Sequence, residues 1–274
     1  MNGPLKWMGR TRTPGRTDGR VVVLSDLHQG QVVARKASAA LHVEADSPAA
    51  VRIAAASPGY LLAHDSGDIA RHCQLLSPLP APGEARVVVT PGRDPSVWHL
   101  DVASRDRPGL LAAFTGVLAD RYFDVVQAIV ATWDDGAALQ AYVIRATAAP
   151  EAAALQAAFE ASLDEPLRSA PLFDARVTFN HTASPLYTRC DVWASDRVGL
   201  LHSVAVAIAA AGADVHAASV STADGFALDR FDLSMPDGTK LTARLEELIE
   251  DHVVNGVPAR ILAGRGGGRR TRYA

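Results

Sequence analysis

Cysteines and aromatic residues are scarce in this chain of 274 residues. Two cysteines, Cys73 and Cys190, cannot by themselves build a disulfide framework or a zinc site. A reducing compartment such as the cytoplasm is therefore expected, and no metal and no cofactor are predicted. Aromatic residues make up 6% of the chain and hydrophobic residues 48%, which is typical of a globular protein with a thin core of Ala, Val and Leu.

Long apolar segments are also missing. No apolar run approaches the roughly 20 residues that a membrane-spanning helix needs. The N-terminus lacks the apolar centre of a secretory signal peptide. Both absences favour a cytoplasmic protein that does not contact a membrane.

The body of the chain has no excess of positive charge. The sequence has 27 Lys and Arg against 30 Asp and Glu, a net charge of −3. Residues 1–20 hold five basic residues and one acid, and residues 264–274 hold four basic residues and no acid. The remaining body therefore has 18 basic and 29 acidic residues, a net −11. Such a body is a poor nucleic-acid binder, and we predict that both basic ends are disordered.

An internal duplication is the clearest pattern in the sequence. Residues 98–111 are WHLDVASRDRPGLL, and residues 188–201 are TRCDVWASDRVGLL, at an offset of 90 positions. The pairs that align at this offset include Asp101 and Asp191, Asp106 and Asp196, Gly109 and Gly199, Asp124 and Asp214, and Val125 and Val215. This repetition predicts two modules of the same fold.

Each copy shows the same order of predicted elements. An alternating strand is followed by a helix that Asp106 can cap, with Pro108 in its first turn. Two strands joined by an Asp-Gly turn come next, and then a second helix. Residues 175–180 supply a fourth strand in the first copy, whereas VPARIL leaves it open whether the second copy has one. The order is the ferredoxin-like βαββαβ unit, so the fold class is α+β with two such modules in tandem.

The N-terminal region differs from the repeats. Residues 48–77 have helical patterning with breaks at Pro58-Gly59 and at Gly67, and several prolines follow. The predicted division of the chain is a basic tail over 1–20, a partly helical region and linker over 21–84, a first module over 85–182, a second module over 183–263 and a basic tail over 264–274.

The duplicated turns resemble a known family. DRPGLL and DRVGLL, each between a strand and a helix, resemble the ACT domain, a small regulatory module that commonly binds amino acids. With the hairpin ADGFALDRF and the preceding segment PGYLLAHDSGDIARHCQLLSPLP, residues 57–253 resemble the C-terminal tandem ACT region of the bifunctional uridylyltransferase/uridylyl-removing enzymes. Those enzymes modify the nitrogen-regulatory PII protein. The resemblance implies a regulatory role in nitrogen or amino-acid metabolism, with glutamine as one implied ligand.

Catalytic motifs of that family are not recognisable in the sequence. A nucleotidyltransferase needs a Gly-Ser loop with paired acidic metal ligands, and the uridylyl-removing half needs an HD metal site. His64-Asp65 is an HD dipeptide, but the other ligands of such a site are not identifiable. The resemblance therefore implies regulation, and we predict that the chain is not an enzyme.

The candidate ligand site is the turn between strand and helix. Glycine at this turn lets a ligand approach the backbone, and the free N–H groups of a helix N-terminus attract a carboxylate. An aspartate at the start of the second strand can accept from an ammonium, although ligand-binding ACT domains often have asparagine there. The candidate ligand-binding residues are Asp106, Arg107, Gly109, Leu110, Leu111, Asp124 and Val125 in the first copy and Asp196, Arg197, Gly199, Leu200, Leu201, Asp214 and Val215 in the second.

Other interpretations stay open. The aspartates of the turns can simply cap helices, and the glycines can serve packing alone. Residues 21–30 (VVVLSDLHQG) resemble the first metal-binding block of calcineurin-like metallophosphoesterases, but the Asn-His ligands of a later block are missing, so residues 26–28 are predicted to be a loop or strand end. The predicted function is an amino-acid sensor. The alternatives are a truncated or remnant uridylyltransferase-type protein with a catalytic partner, and a ligand-free scaffold. A protein partner and a homodimer are further alternatives that the sequence leaves open.

Overall fold

A computed structural model describes residues 18–167 and 170–258, and for residues 18–28 it describes the backbone alone. In chain order the elements are α1 (Asp18–Ala40), α2 (Pro48–Ala55), α3 (Pro58–Ala63), α4 (Ser66–Leu75), β1 (Ala85–Pro91), β2 (Val97–Arg105), α5 (Leu110–Asp120), β3 (Asp124–Thr132), β4 (Ala137–Arg145), α6 (Ala152–Ser162), β5 (Arg176–Asn180), β6 (Thr188–Ser195), α7 (Leu200–Ala211), β7 (Asp214–Ala223), β8 (Phe226–Ser234) and α8 (Ala243–Asn255).

All eight strands form one antiparallel sheet in the order β1-β2-β4-β3-β7-β8-β6-β5. The order is symmetric about the β3–β7 pair, where Ile129 lies opposite Ser219. We call 85–162 the first module and 176–255 the second module. The α+β class and the two ferredoxin-like modules predicted from the duplication are confirmed. The modules join side by side, because the inner strand of each pairs with the inner strand of the other.

One strand belongs to a different module than the sequence indicated. Residues 175–180 were assigned to the first copy, but β5 pairs with β6 of the second module. The equivalent edge strand of the first module is β1, which precedes β2 and pairs with it. Each module therefore begins with its edge strand, and the second module has its fourth strand without using VPARIL. A local sequence pattern predicts that a segment is a strand. Which strand it pairs with depends on which sheet edge is free.

Helices α5 to α8 cover one face of the sheet and enclose the main core. Phe114 on α5 packs on Phe159 of α6, with ring centroids 4.7 Å apart, and both side chains are fully buried. Alanines dominate α7, which lies against α5. Close packing of these helices is visible at Gly116, where an added Cβ would lie 3.0 Å from the His202 ring. In this alanine-rich core, small residues therefore let α5 and α7 approach each other closely.

Helices α1 to α4, the helical region of residues 18–75, cover the opposite face of the first module. Ser47, Ser57 and Asp65 cap α2, α3 and α4 through side-chain oxygens that accept from backbone N–H groups. The breaks predicted at Pro58-Gly59 and at Gly67 are displaced slightly: these residues lie in the first turns of α3 and α4, and the observed gaps come just before those helices. Residues 26–28 lie within α1, so the expectation of a loop or strand end there was wrong. Helix α1 also begins at Asp18, inside the predicted tail; residues 1–17 and the tail at 264–274 lie outside the described residues.

The helical region is joined to the first module by a buried polar network. Asp101 on β2 is 4% exposed and accepts from Arg71 Nη2 at 3.0 Å. His72 Nε2 lies 3.1 Å from Asp101 Oδ1, an ion-pair distance, and His72 Nδ1 lies 3.0 Å from Tyr60 Oη. Burial by itself raises the pKa of Asp101, but the interactions with His72 and Arg71 outweigh it and hold that pKa below its usual value.

A second connection joins the helical region to the β3–β4 turn. Trp133 donates from Nε1 to the Arg52 carbonyl at 3.1 Å. The Arg52 guanidinium binds both carboxylate oxygens of Asp135, at 3.0 and 2.8 Å. Since bidentate arginine–carboxylate pairs are geometrically specific, this contact fixes the helical region against one end of the first module.

The corresponding face of the second module is open among the described residues. Its strands carry cross-strand ion pairs, Arg189 with Asp232 at 2.6 Å and Arg230 with Asp191 at 3.0 Å. Trp193 on this face is 47% exposed. Within the described ranges, no helix is both long and apolar enough to span a bilayer.

Candidate functional site

The two strand-to-helix turns have the same backbone geometry. Gly109 and Gly199 have φ of 80° and 81° and directly precede α5 and α7. A Cβ at Gly109 would lie 3.7 Å from Leu167, which is an ordinary van der Waals contact, so lack of space does not require glycine here. The left-handed backbone conformation does, because other residues rarely adopt it. The prediction that Asp106 caps α5 was wrong: the helix begins four residues later, and no side chain caps it. The Asp106 N–H instead donates to the Gly136 carbonyl at 2.9 Å.

Substitution of Gly109 tests this geometry. We expect Gly109→Ala to lower the free energy of unfolding by about 1 kcal/mol, because alanine is strained at positive φ. Gly109→Asn should cost less, since asparagine tolerates the left-handed region better. Urea denaturation of the three proteins measures both values. Equal losses for alanine and asparagine would contradict an explanation based on backbone conformation.

The turn of the first module faces the second module. It lines a cleft with the start of β7, which we call the first cleft. Seven of the predicted residues lie around it: Asp106, Arg107, Gly109, Leu110, Leu111, Asp214 and Val215.

The turn of the second module lines a matching cleft with the start of β3, which we call the second cleft. The other seven predicted residues lie around this one: Asp196, Arg197, Gly199, Leu200, Leu201, Asp124 and Val125. The structure therefore brings each turn together with the third strand of the opposite module, β7 or β3. This crossed arrangement follows from the β3–β7 pairing, which places the start of each strand beside the other module's helix.

The two clefts differ strongly in size. The first cleft has a volume of about 220 Å³, and the second about 20 Å³. A volume of 20 Å³ accommodates a single water-sized group, whereas the first cleft can hold a small organic molecule. The duplicated turns have thus produced one cleft with room for a small molecule and one with little free volume.

Electrostatics in the first cleft favour a ligand that carries both charges. Burial, and secondarily the nearby Asp214 carboxylate, raise the pKa of Asp106. Arg107 is 45% exposed and lies 3.8 Å from the exposed Asp164, too far for a hydrogen bond. Its guanidinium can therefore turn toward a ligand carboxylate, while the two aspartates can accept from an ammonium.

The start of α5 also offers backbone N–H groups to a ligand in the first cleft. Leu110 N–H donates to the Arg107 carbonyl, and Ala113 N–H donates to the Gly109 carbonyl. Among the described residues, the amides of Leu111 and Ala112 between them are left for a ligand. Both residues line the first cleft, and the positive end of the helix dipole favours an anion at this point.

Several lining residues were not predicted from the sequence. Gln140 on β4 and Thr132 on β3 line the first cleft, and Gln140 accepts a hydrogen bond from the Tyr142 hydroxyl. His216 also lines it, with Nε2 2.8 Å from Ser234 Oγ and its ring stacked on Tyr187. Inward alternation along β4 was the available signal for Gln140, because its neighbours Ala138 and Tyr142 are buried on the same face.

The basic side chains at the second cleft are already paired. Arg197 binds Asp174 at 2.7 Å, and Arg145 lies 3.2 Å from Asp124. Burial, and then the Asp124 carboxylate, raise the pKa of Asp196. Asp229 of β8 is fully buried and lines this cleft, and it was not among the residues predicted from the sequence. It aligns with Gln140 in the duplication, so the two clefts have different chemistry at matching positions.

The paired ferredoxin-like modules and their reciprocal turn–strand clefts resemble the arrangement expected of tandem ACT domains. The chain resembles the bifunctional uridylyltransferase/uridylyl-removing enzyme of Rhodospirillum rubrum, with 26% identity over 235 residues. The match covers 76% of this chain but only 25% of that enzyme, so the chain spans about a quarter of the relative's length. No family model matches the chain.

Solved structures give weaker likenesses. Aspartate kinase from Synechocystis has a TM-score of 0.34 and 15% identity, over 57% of this chain and 26% of the kinase. A protein of unknown function from Galdieria sulphuraria has a TM-score of 0.22 and 18% identity, over 62% of this chain and 94% of that protein.

Proposed function

We propose that the protein is a regulatory amino-acid sensor that binds its ligand in the first cleft. The observation that carries this proposal is the reciprocal construction of the clefts, one of which has room for a small molecule beside a helix N-terminus and two carboxylates. Leu111, Ala112 and Arg107 would bind the α-carboxylate, while Asp214 and Asp106 would bind the α-ammonium. Gln140 and Thr132 would contact a neutral polar side chain, which is consistent with glutamine.

Ligand binding in this cleft has a direct structural consequence. Its walls come from both modules, so a bound amino acid would make contacts that depend on how the modules pack. A ligand shifts a conformational equilibrium by its difference in affinity for the two states. The first cleft therefore offers a physical route from amino-acid binding to a change at the module interface.

The chain's similarity to part of a larger enzyme supports a related proposal for its partner. In this view the sensor acts as a regulatory component with a catalytic partner of uridylyltransferase type, in the cytoplasm and in nitrogen or amino-acid metabolism. Co-purification with the catalytic partner, in an amount that changes with the amino acid, would support it.

Calorimetric titration with each of the twenty amino acids tests the sensor proposal. We expect at least one to bind, and Asp214→Asn to weaken that binding by about 10- to 100-fold, because it removes a charge-assisted acceptor. Asp124→Asn changes the equivalent residue of the second cleft and is the matched control, with an expected effect below about threefold. If none of the amino acids binds, the ligand-free scaffold is the better interpretation.

A further inference from the structure

A buried carboxylate in the second cleft has no partner. Asp229 on β8 is fully buried, and neither of its carboxylate oxygens accepts a hydrogen bond from any residue that the structure describes. Isolated burial of an ionised carboxylate is strongly unfavourable, so such groups are usually protonated or paired with a cation. Because Asp229 lines the second cleft, a group bound there can reach it.

The surroundings of Asp229 favour a cation. Burial and the neighbouring Asp196 carboxylate raise the pKa of Asp229 to about 7. Asp124 adds a third carboxylate to the lining of the same cleft. The other polar side chains of the lining are Thr115, His202 and Arg197, and the Cys190 thiol lies close to Asp229 on the neighbouring strand.

The nearby arginines do not neutralise this carboxylate. Arg197 is bound to Asp174 and Arg145 to Asp124, and no ion pair joins Asp229 to a basic side chain within the described ranges. Two carboxylates close to each other repel and both attract a positive group. The cleft is therefore an acidic pocket whose deepest member still lacks a counter-charge.

Size restricts the cation that fits. About 20 Å³ accommodates one water-sized group, which is the size of a primary ammonium and smaller than a guanidinium. Carboxylate oxygens accept the N–H donors of an ammonium in charge-assisted hydrogen bonds. In the first cleft the matching position is Gln140, a neutral amide already bonded to Tyr142, so of the two clefts only the second has a buried carboxylate at this position.

We propose that the second cleft binds a primary ammonium group, with Asp229 as its main acceptor and Asp124 and Asp196 as supporting charges. The group can be the ammonium ion or the amine end of a small ligand. The proposal is independent of amino-acid binding in the first cleft, which calorimetry of the unaltered protein tests separately.

Thermal unfolding of the full chain at pH 8 tests the proposal. We compare ammonium chloride, methylamine hydrochloride and potassium chloride at equal ionic strength. Ammonium should raise the unfolding midpoint by about 3 °C relative to potassium. The same shift with methylamine identifies an amine end as a ligand, whereas a shift with ammonium alone identifies the ion. Equal midpoints in ammonium and potassium would overturn the proposal.

Variants assign the effect to Asp229. Asp229→Asn should abolish the ammonium-dependent shift, whereas Asp134→Asn, the same change at an exposed loop residue, should retain it. A shift that persists in Asp229→Asn would overturn the assignment. Nitrogen-15 NMR of the unaltered protein in labelled ammonium chloride needs no variant: a bound population should show protons that exchange slowly with water, and a single rapidly exchanging signal would count against the site.

Discussion

Asp101→Ala should lower the free energy of unfolding by about 3 kcal/mol. The substitution removes a buried carboxylate that accepts from Arg71 and lies 3.1 Å from His72. Since His72 is 1% exposed, it would lose the carboxylate that lies beside its Nε2 inside the protein. Breaking a buried pair from one side is costly because the remaining group keeps its desolvation penalty.

The duplication supplies the matched control for this experiment. Asp191 occupies the same position in the second module, but it pairs with Arg230 on the open face. Exposed pairs typically contribute less than about 1 kcal/mol, so Asp191→Ala should have a small effect. Urea denaturation measures both losses, and hydrogen exchange in α3 and α4 should accelerate only in Asp101→Ala. Similar losses in the two variants would show that the helical region does not depend on Asp101.

The unfolding free energy should depend on pH through Asp229, in the direction opposite to that of an ordinary carboxylate. Burial raises the folded-state pKa of Asp229 to about 7, whereas an unfolded aspartate titrates near 3.9. Between these values the folded state holds a proton that the unfolded state releases. The stabilising contribution of this carboxyl is therefore complete below about pH 4 and is lost as the pH rises to about 7.

The difference between the unaltered protein and Asp229→Asn isolates this contribution. Asp101, whose pKa is lowered in the folded protein, acts in the opposite sense and is present in both. We expect the stability of the unaltered protein relative to the variant to fall by about 3 kcal/mol between pH 4.5 and pH 8. Urea titrations in amine-free buffers measure it. A constant difference across this range would mean that Asp229 titrates like an exposed aspartate.

Local patterns predicted the elements of this fold well. The 90-residue offset indicated both modules, and the helix breaks predicted near Pro58 and Gly67 lie within two residues of the starts of α3 and α4. These features depend on residues close together in the chain, such as Ser47 and Ser57, which cap the helices that follow them. The assignment of β5 failed because strand pairing depends on which sheet edge is free, which neighbouring residues do not encode.

The candidate site was predicted in part for a similar reason. The repeated turns identified fourteen lining residues, since a turn motif is local. Sequence reasoning could not show that Asp214 meets the turn containing Asp106 across the module interface, nor that the two clefts differ in volume about tenfold. It also missed Gln140 and Asp229, because inward-facing polar residues resemble ordinary strand residues until the opposite wall is known.

The position of β5 determines where the chain can be divided. A fragment that begins at residue 183, the predicted boundary, would lack the strand that pairs with β6 along Arg176–Asn180. The backbone groups of β6 on that side would be exposed, and exposed strand edges favour association with other chains. A fragment that begins near residue 170 would retain all four strands of its module. The boundary between the duplicated units therefore lies before β5, in the segment that follows α6.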